Sequence, residues 1–313
     1  MVTPPILVPH VTHTTVDVDG VEVFVRQAGP PDAPTLLLLH GFPTASHQFR
    51  RLLDVLGTRY RLVAPDYPGF GHSATPVPAT LGGPFAYTFD HLAEVTDGLL
   101  DRLRLDRFVL YAFDYGGPVG FRLATRRPER VAGLVVQNAN AYVEGLSPAA
   151  RAFVALTPAT PGAEATIRGL FSLDGIRQQY LGGAGDPAAI PPDGWVLDAH
   201  LVESPERARA QLDLAFDYHS NEALYPEWQA WLRTWQPPTL VVWGRHDPFF
   251  LPAGAEAYRR DVPDAVVHLL DSGHFALEDQ LQVIAPLVAD LVDRAWAGPV
   301  APALSPTAPN GTA

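Results

Sequence analysis

Residues 107–117 read Arg-Phe-Val-Leu-Tyr-Ala-Phe-Asp-Tyr-Gly-Gly, and this stretch decides the fold. The run over 107–112, apolar after its first residue, predicts a buried strand, and the pattern from about 116 to 127 predicts a helix. Between them stands Asp114, with a small residue two positions before it and another two positions after it. Small residues suit a sharp turn from strand to helix, because larger side chains would collide there. The stretch therefore predicts a nucleophile elbow with Asp114 at its tip.

An aspartate at this tip determines the chemistry that the turn can perform. A carboxylate is already ionised at pH 7, since its reference pKa is about 3.9. Attack on an acyl carbon would give a reactive anhydride, whereas displacement at a saturated carbon gives an alkyl ester. An activated water can then hydrolyse that ester at the Asp114 carbonyl carbon. We therefore expect Asp114 to be a nucleophile, with a histidine base needed only in the second step.

Strand patterns alternate with helical patterns through the first half of the chain. The strand-like runs lie at 35–39, 60–65, 107–112 and 131–136, and the helical patterns at 46–57, 88–105 and 116–127. Such alternation favours a parallel sheet that is covered by helices on both faces. A hairpin around Asp19-Gly20 is expected to precede it. We predict an α/β protein with a mostly parallel central sheet flanked by helices.

The middle of the chain differs from both ends. Residues 141–230 carry helix signals and no clear buried strand, and the strand pattern returns at 239–243 and 265–270. We therefore predict a helical cap inserted into an α/β core. The predicted parts are 1–140 (core, first part), 141–230 (helical cap), 231–297 (core, second part) and 298–313 (a Pro-rich, disordered tail).

Two further residues complete a catalytic triad. Asp247 follows the strand pattern at 239–243, and His274 follows the one at 265–270. Open α/β sheets place their sites at the carboxyl ends of such strands. The chain order of nucleophile, acid and histidine is the one typical of this elbow. We expect His274 to be the general base that activates water, and Asp247 to orient it and stabilise its charge.

An oxyanion hole needs two backbone N–H groups aimed at the ester oxygen. The residue after the nucleophile, Tyr115, supplies one of them. The loop His40-Gly41-Phe42-Pro43, which follows the strand pattern at 35–39, supplies the other, and Phe42 is the expected donor.

The chain resembles the α/β-hydrolase superfamily, in its Asp-nucleophile branch of epoxide hydrolases and haloalkane dehalogenases. The resemblance spans residues 20–296. Its motifs are HGFP at 40–43, DYPGFGHS at 66–73, FDYGG at 113–117, GRHDP at 244–248 and DSGHF at 271–275. It implies an α/β-hydrolase fold with an inserted cap, a covalent ester intermediate, and neither a cofactor nor a metal.

The leaving group distinguishes the reactions within this branch. Haloalkane dehalogenases hold the halide with side-chain N–H donors, typically including a Trp directly after the nucleophile, where this chain has Tyr115. Epoxide hydrolases use two cap tyrosines, and the contexts of Tyr180 and Tyr218 resemble those two positions. We therefore expect an epoxide hydrolase, which converts an epoxide to a diol. Hydrolytic dehalogenation is the alternative, and a ligand receptor or non-hydrolytic catalyst on the same fold is a third possibility.

Composition excludes several other classes of protein. The formal net charge of −12 disfavours binding to nucleic acid. The chain contains no lysine and no cysteine, so Schiff-base chemistry and thiolate chemistry are excluded. Neither a signal peptide nor a membrane-spanning run is recognisable, so we expect a cytoplasmic protein that does not bind membranes. The expected partners are a small apolar organic substrate and water, and the oligomeric state stays open.

Overall fold

Eight strands form one sheet within residues 8–298, the part of the chain that this computed structural model describes. The strands are β1 (Val11–Val18), β2 (Val21–Ala28), β3 (Thr35–Leu39), β4 (Arg61–Pro65), β5 (Phe108–Phe113), β6 (Val131–Gln137), β7 (Thr239–Gly244) and β8 (Val266–Leu270). Their order across the sheet is β1-β2-β4-β3-β5-β6-β7-β8. β2 runs antiparallel to β1 and β4, and all the other neighbours are parallel. The predicted α/β class with a mostly parallel sheet is confirmed.

Helices cover the sheet and fill the connections between strands. The α-helices are α1 (Arg50–Leu56), α2 (Phe89–Arg102), α3 (Gly116–Arg126), α4 (Pro148–Val154), α5 (Ala163–Phe171), α6 (Leu173–Leu181), α7 (Asp193–Leu201), α8 (Pro205–Asp217), α9 (His219–Trp235), α10 (Pro252–Asp261), α11 (Ala276–Asp279) and α12 (Leu281–Ala297). Short 3₁₀ helices lie at Ser46–Phe49, Ala79–Leu81, Pro128–Arg130, Val143–Gly145 and Pro187–Ala189. None of the helices in the described part combines the length and apolar character needed to cross a bilayer.

The side chains of the central strands alternate between two hydrophobic layers. Leu37 of β3 shares one layer with Leu110 of β5, together with residues of α2 and α3. Leu36 and Leu38 point the other way and share a layer with Tyr111, together with residues of α1 and α12. Because both faces are buried, these strands need apolar residues at every position, which explains their uninterrupted runs.

The predicted hairpin is present, with β1 and β2 paired from Val18↔Val21 outward. Asp19 and Gly20 form its turn with φ angles of 52° and 89°. A two-residue turn of this kind needs positive φ at both positions, which an Asp-Gly pair adopts readily.

Six α-helices, α4–α9, and two short 3₁₀ helices occupy the segment between β6 and β7, and this segment contributes no strand to the described sheet. The helical character predicted for 141–230 is therefore present. Residue 230 falls inside α9, which packs against the core through Trp228, whose ring stacks on Phe121 of α3 at 5.2 Å. The division into core and cap at 140 and 230 stays a prediction. The predicted tail lies outside the described residues, apart from Gly298.

Candidate active site

Asp114 stands at the turn between β5 and α3 with a φ angle of 49°. This left-handed conformation is rare for a residue other than glycine and marks a strained turn. The neighbouring glycines are required by close approach. A Cβ at Gly116 would lie 2.1 Å from the Leu39 carbonyl oxygen, and one at Gly41 would lie 2.4 Å from the Asp114 Cβ. The glycines therefore allow the turn to pack closely against the end of β3 and the loop that follows it.

Two backbone N–H groups hold the Asp114 carboxylate. Phe42 N–H donates to Asp114 Oδ1 at 2.7 Å, and the N–H of Tyr115 is a second donor. Burial raises the pKa of Asp114 above its usual value. The charge on His274 and the two N–H donors favour the ionised form and so limit this rise. The N–H groups of Phe42 and Tyr115 therefore both contact the Asp114 carboxylate, and their role as oxyanion donors stays a prediction.

The three predicted triad residues lie together beneath the helical segment. His274 Nδ1 lies 2.7 Å from Asp247 Oδ2, and His274 Nε2 lies 3.7 Å from Asp114 Oδ2. Burial works to lower the pKa of His274, but Asp247, through its charge and hydrogen bond, and the charge of Asp114 outweigh it, so that the pKa is raised. The geometry leaves Nε2, the ring nitrogen that Asp247 does not contact, facing Asp114.

A cavity of about 400 Å³ opens beside Asp114 and His274. Its wall is largely apolar and comes from α4, α5 and the loop after β7, with contributions from the elbow. The lining residues are Phe42, Asp114, Tyr115, Ala149, Ala150, Ala152, Phe153, Val154, Leu156, Thr166, Leu170, Gln179, Tyr218, Phe249, Phe250 and His274. Such a wall suits an apolar organic molecule.

Tyr218 lies in the cavity wall, where its ring centroid is 5.8 Å from that of Tyr115. No group in the described part of the chain forms a hydrogen bond with either phenol hydroxyl, and neither oxygen is fully buried. Burial raises the pKa of both phenols well above the usual value, and the charge of Asp114 raises each further. Both phenols therefore keep their protons at neutral pH. Tyr218 and the side chain of Tyr115 therefore both line the cavity beside Asp114, and the role expected of Tyr218 stays a prediction.

Tyr180 lies outside the cavity wall. Its hydroxyl donates to Asp198 Oδ2 at 2.6 Å and lies 3.3 Å from Thr44 Oγ1. Its ring stacks on Phe275 with centroids 3.8 Å apart. The preceding residue of α6, Gln179, lines the cavity instead. The structure therefore does not bring Tyr180 to Asp114, because α6 turns this side chain into the hydrophobic layer beneath it.

Residues 34–281 match a protein family whose description is "alpha/beta hydrolase fold". The chain belongs to this family. It is 42% identical over 272 residues to the "Uncharacterized hydrolase YNR064C" of Saccharomyces cerevisiae, covering 85% of this chain and 92% of the relative. It is 31% identical over 267 residues to "Haloalkane dehalogenase 2" of Mycobacterium tuberculosis, covering 82% of this chain and 87% of the relative.

Solved structures show the same fold. Haloalkane dehalogenase DbeA from Bradyrhizobium elkani superposes with a TM-score of 0.77 at 24% identity, over 92% of this chain and 99% of that one. Cfl2 from Burkholderia cenocepacia superposes with a TM-score of 0.74 at 25% identity, over 90% of this chain and 95% of that one. The chain is therefore a hydrolase of this fold with relatives among the haloalkane dehalogenases.

In this α/β hydrolase, Asp247 is held by three donors besides His274. Its Oδ1 accepts from the N–H groups of Phe249 at 2.7 Å and Phe250 at 3.1 Å. Its Oδ2 accepts from Asn138 Nδ2 at 2.7 Å. These bonds fix the carboxylate that orients the histidine ring.

Asn138 is a positioning residue that the sequence analysis missed. Besides donating to Asp247, it accepts from the N–H of Gly244 at 3.1 Å through its Oδ1. Asn138 directly follows β6, just as other site residues follow their strands. Its position after a strand was the sequence signal that could have identified it as a site residue. Within residues 8–298, no three His, Asp or Glu side chains converge in an arrangement that could hold a metal ion.

Proposed function

We propose that this hydrolase opens epoxides to diols through an ester on Asp114. The observation that carries the proposal is the pair of phenols, Tyr115 and Tyr218, whose hydroxyls are free in the same apolar cavity as the nucleophile. Opening an epoxide creates an alkoxide that must receive a proton, whereas a departing halide needs none. Phenols that keep their protons at neutral pH are suited to supply it.

The first step forms the ester. Asp114 Oδ2 attacks a ring carbon of the epoxide, because Oδ1 is held by the N–H of Phe42. The carbon–oxygen bond of the ring breaks, and its electron pair moves to the oxygen. That oxygen takes a proton from Tyr218 or Tyr115, and the other phenol stabilises it through a hydrogen bond. The wall around these groups is largely apolar, and its low dielectric constant strengthens their electrostatic interactions.

The second step returns the enzyme to its starting state. His274 Nε2 takes a proton from water, and the resulting hydroxide attacks the carbonyl carbon of the Asp114 ester. The negative charge that develops on Oδ1 is stabilised by the N–H groups of Phe42 and Tyr115. Collapse releases the diol, whose departing oxygen takes the proton from His274. The phenolate regains its proton, through solvent, from the carboxylic acid that the collapse leaves on Asp114, and Asp247 stabilises the imidazole while it is charged.

Hydrolytic dehalogenation is a second candidate, and the 31% identity to a haloalkane dehalogenase favours it. The same phenol hydroxyls can donate to a departing halide. Against this, the cavity wall offers no tryptophan, and the only amide donor among the lining residues, on Gln179, already donates to the Leu170 carbonyl oxygen at 3.0 Å. We therefore rank epoxide opening above dehalogenation.

The variant His274→Ala separates these candidates, because it can form the ester but lacks the base that hydrolyses it. The protein is incubated with a panel of epoxides and haloalkanes, and its intact mass is recorded. We expect an added mass equal to a whole epoxide. An adduct equal to a haloalkane without its halide, with none from epoxides, would establish dehalogenation instead.

The matched control is the double variant His274→Ala/Asp114→Asn, which should take up no mass from either class. An adduct that persists in this double variant would place the ester on another residue and overturn the proposed role of Asp114. No adduct in any variant, with an inactive wild type, would favour a ligand receptor.

A further inference from the structure

Gln179 is a buried polar residue in the cavity wall that the proposed reaction does not use. It lies on α6 with only 5% of its surface exposed. Apolar residues make up most of the wall around it, including Leu170 of α5. A buried amide in an apolar wall must find partners for its donors and its acceptor, or it destabilises the fold.

The hydrogen bonds of Gln179 fix the orientation of its amide group. Its Nε2 donates to the Leu170 carbonyl oxygen at 3.0 Å and to the Gly175 carbonyl oxygen at 3.3 Å. Leu170 stands in the last turn of α5, where carbonyl groups lack partners within their own helix. Both amide hydrogens are thus engaged by the backbone, and the side chain cannot flip without losing these bonds.

The amide oxygen, Oε1, is an acceptor that these two hydrogen bonds leave unused. It has no hydrogen-bond partner within the described residues, and it is not fully buried. Gln179 lines the cavity beside Asp114, and Oε1 is the polar atom of its side chain that its hydrogen bonds leave available. The phenols of Tyr115 and Tyr218 are donors in the same cavity, so the wall offers both kinds of polar contact.

We propose that Gln179 Oε1 selects substrates that carry a hydroxyl or N–H group away from the reacting carbon. The phenols bind the reacting oxygen, and Gln179 accepts a hydrogen bond from the second polar group. A purely apolar chain would cover this acceptor and leave it without a hydrogen bond, and would bind less tightly. The identity of the reacting group rests on the proposed function. The acceptor on Gln179 does not depend on it.

A binding experiment tests this acceptor without any reaction. The variant Asp114→Asn, which cannot form the ester, is titrated calorimetrically with a series of 1,ω-alkanediols of increasing chain length and with their dimethyl ethers. Each dimethyl ether keeps both oxygens, which can still accept from the phenols, but has no hydroxyl to donate to Gln179. We expect the best-fitting diol to bind about fivefold more tightly than its ether, the gain of one neutral hydrogen bond.

Adding Gln179→Met to Asp114→Asn should abolish this preference, because methionine has a similar volume and no strong acceptor. Adding Thr166→Val should preserve it, because the inference assigns the hydrogen bond to Gln179 Oε1 and not to the Thr166 hydroxyl oxygen in the same wall. A purely structural role of Gln179 would weaken diol and ether equally. Equal binding of both ligands before Gln179 is changed, or a preference that survives Gln179→Met, would overturn the inference.

A second measurement covers the case in which Gln179→Met does not fold. Wild-type kcat/KM is compared for an epoxide with a terminal hydroxyl and for its methyl ether, and we expect about a fivefold advantage for the hydroxyl. Equal values would overturn the inference. If neither epoxide is turned over, the proposed reaction fails, while a diol preference in the calorimetric titration still supports the acceptor.

Discussion

Replacing Tyr218 by phenylalanine should slow the formation of the ester and leave its hydrolysis unchanged. The ring keeps its place against Phe89, 5.8 Å away, and against Phe153, 6.1 Å away. The hydroxyl that is lost has no hydrogen-bond partner among the described residues, so no structural bond is broken. We therefore expect the free energy of unfolding to change by less than about 0.5 kcal/mol.

The size of the kinetic effect follows from the bond that is lost. A hydrogen bond to a group that becomes charged contributes about 1.5–3 kcal/mol, and each 1.36 kcal/mol is tenfold in rate. Tyr218→Phe should therefore slow ester formation by roughly 10- to 150-fold. Tyr115→Phe should have an effect of similar size. The double variant should lose more than the sum of the two free-energy changes, because each single variant retains one phenol that can still protonate the oxygen.

The assay measures the mass of the intact protein after rapid quenching, with enzyme in excess over epoxide and His274→Ala as the background. Tyr180→Phe is the matched control. It should leave ester formation within about twofold of the parent, and lower the free energy of unfolding by about 1–3 kcal/mol, since the buried carboxylate of Asp198 loses a donor at 2.6 Å. Slow ester formation in Tyr180→Phe, or a normal rate in the double phenol variant, would refute the assignment of the two phenols.

Two further predictions concern the positioning of the base. The rate of ester hydrolysis should rise with pH along a limb set by His274, because the protonated imidazole cannot accept a proton from water, and the neighbouring Asp247 acts to raise its pKa. Asp247→Asn should move this limb to lower pH, since it removes the carboxylate that raises that pKa, and a limb that stays in place would contradict this cause. Asn138→Ala should lower the free energy of unfolding by about 2–3 kcal/mol, because Asp247 loses a donor at 2.7 Å and the N–H of Gly244 loses its acceptor. Urea denaturation measures this change, and a loss below about 0.5 kcal/mol would show that other groups replace Asn138.

The central sheet and the elbow could be predicted from sequence because local rules govern them. The strands are buried on both faces and therefore read as continuous apolar runs, such as Thr35–Leu39. Asp114 follows such a run directly and Asp247 and His274 follow within a few residues, and parallel strands bring their carboxyl ends to one edge. The glycines beside Asp114 are needed for close backbone approach, so their identity indicates the turn.

The cap side of the site could not be predicted in the same way. Tyrosine suits both a hydrophobic layer and a cavity wall, because it joins an apolar ring to a polar hydroxyl. On α6, the rotation of the helix decides that Gln179 lines the cavity while Tyr180 turns to Asp198. That rotation is set by packing against distant parts of the chain. The side chain of Tyr115 was not predicted to line the cavity. Its position directly after Asp114 predicts a role for its backbone N–H and says nothing about its phenol.

The most direct test of the account follows oxygen from labelled water in a single turnover. Wild-type enzyme in excess is mixed with an epoxide in H₂¹⁸O, and the diol and the peptide containing Asp114 are analysed by mass spectrometry. Because water attacks the carbonyl carbon of the ester, we predict that the ¹⁸O enters the Asp114 carboxylate and that the first diol carries an oxygen from the enzyme. An ¹⁸O atom found in the first diol, with Asp114 unlabelled, would mean that water attacks the epoxide directly and would contradict a covalent intermediate.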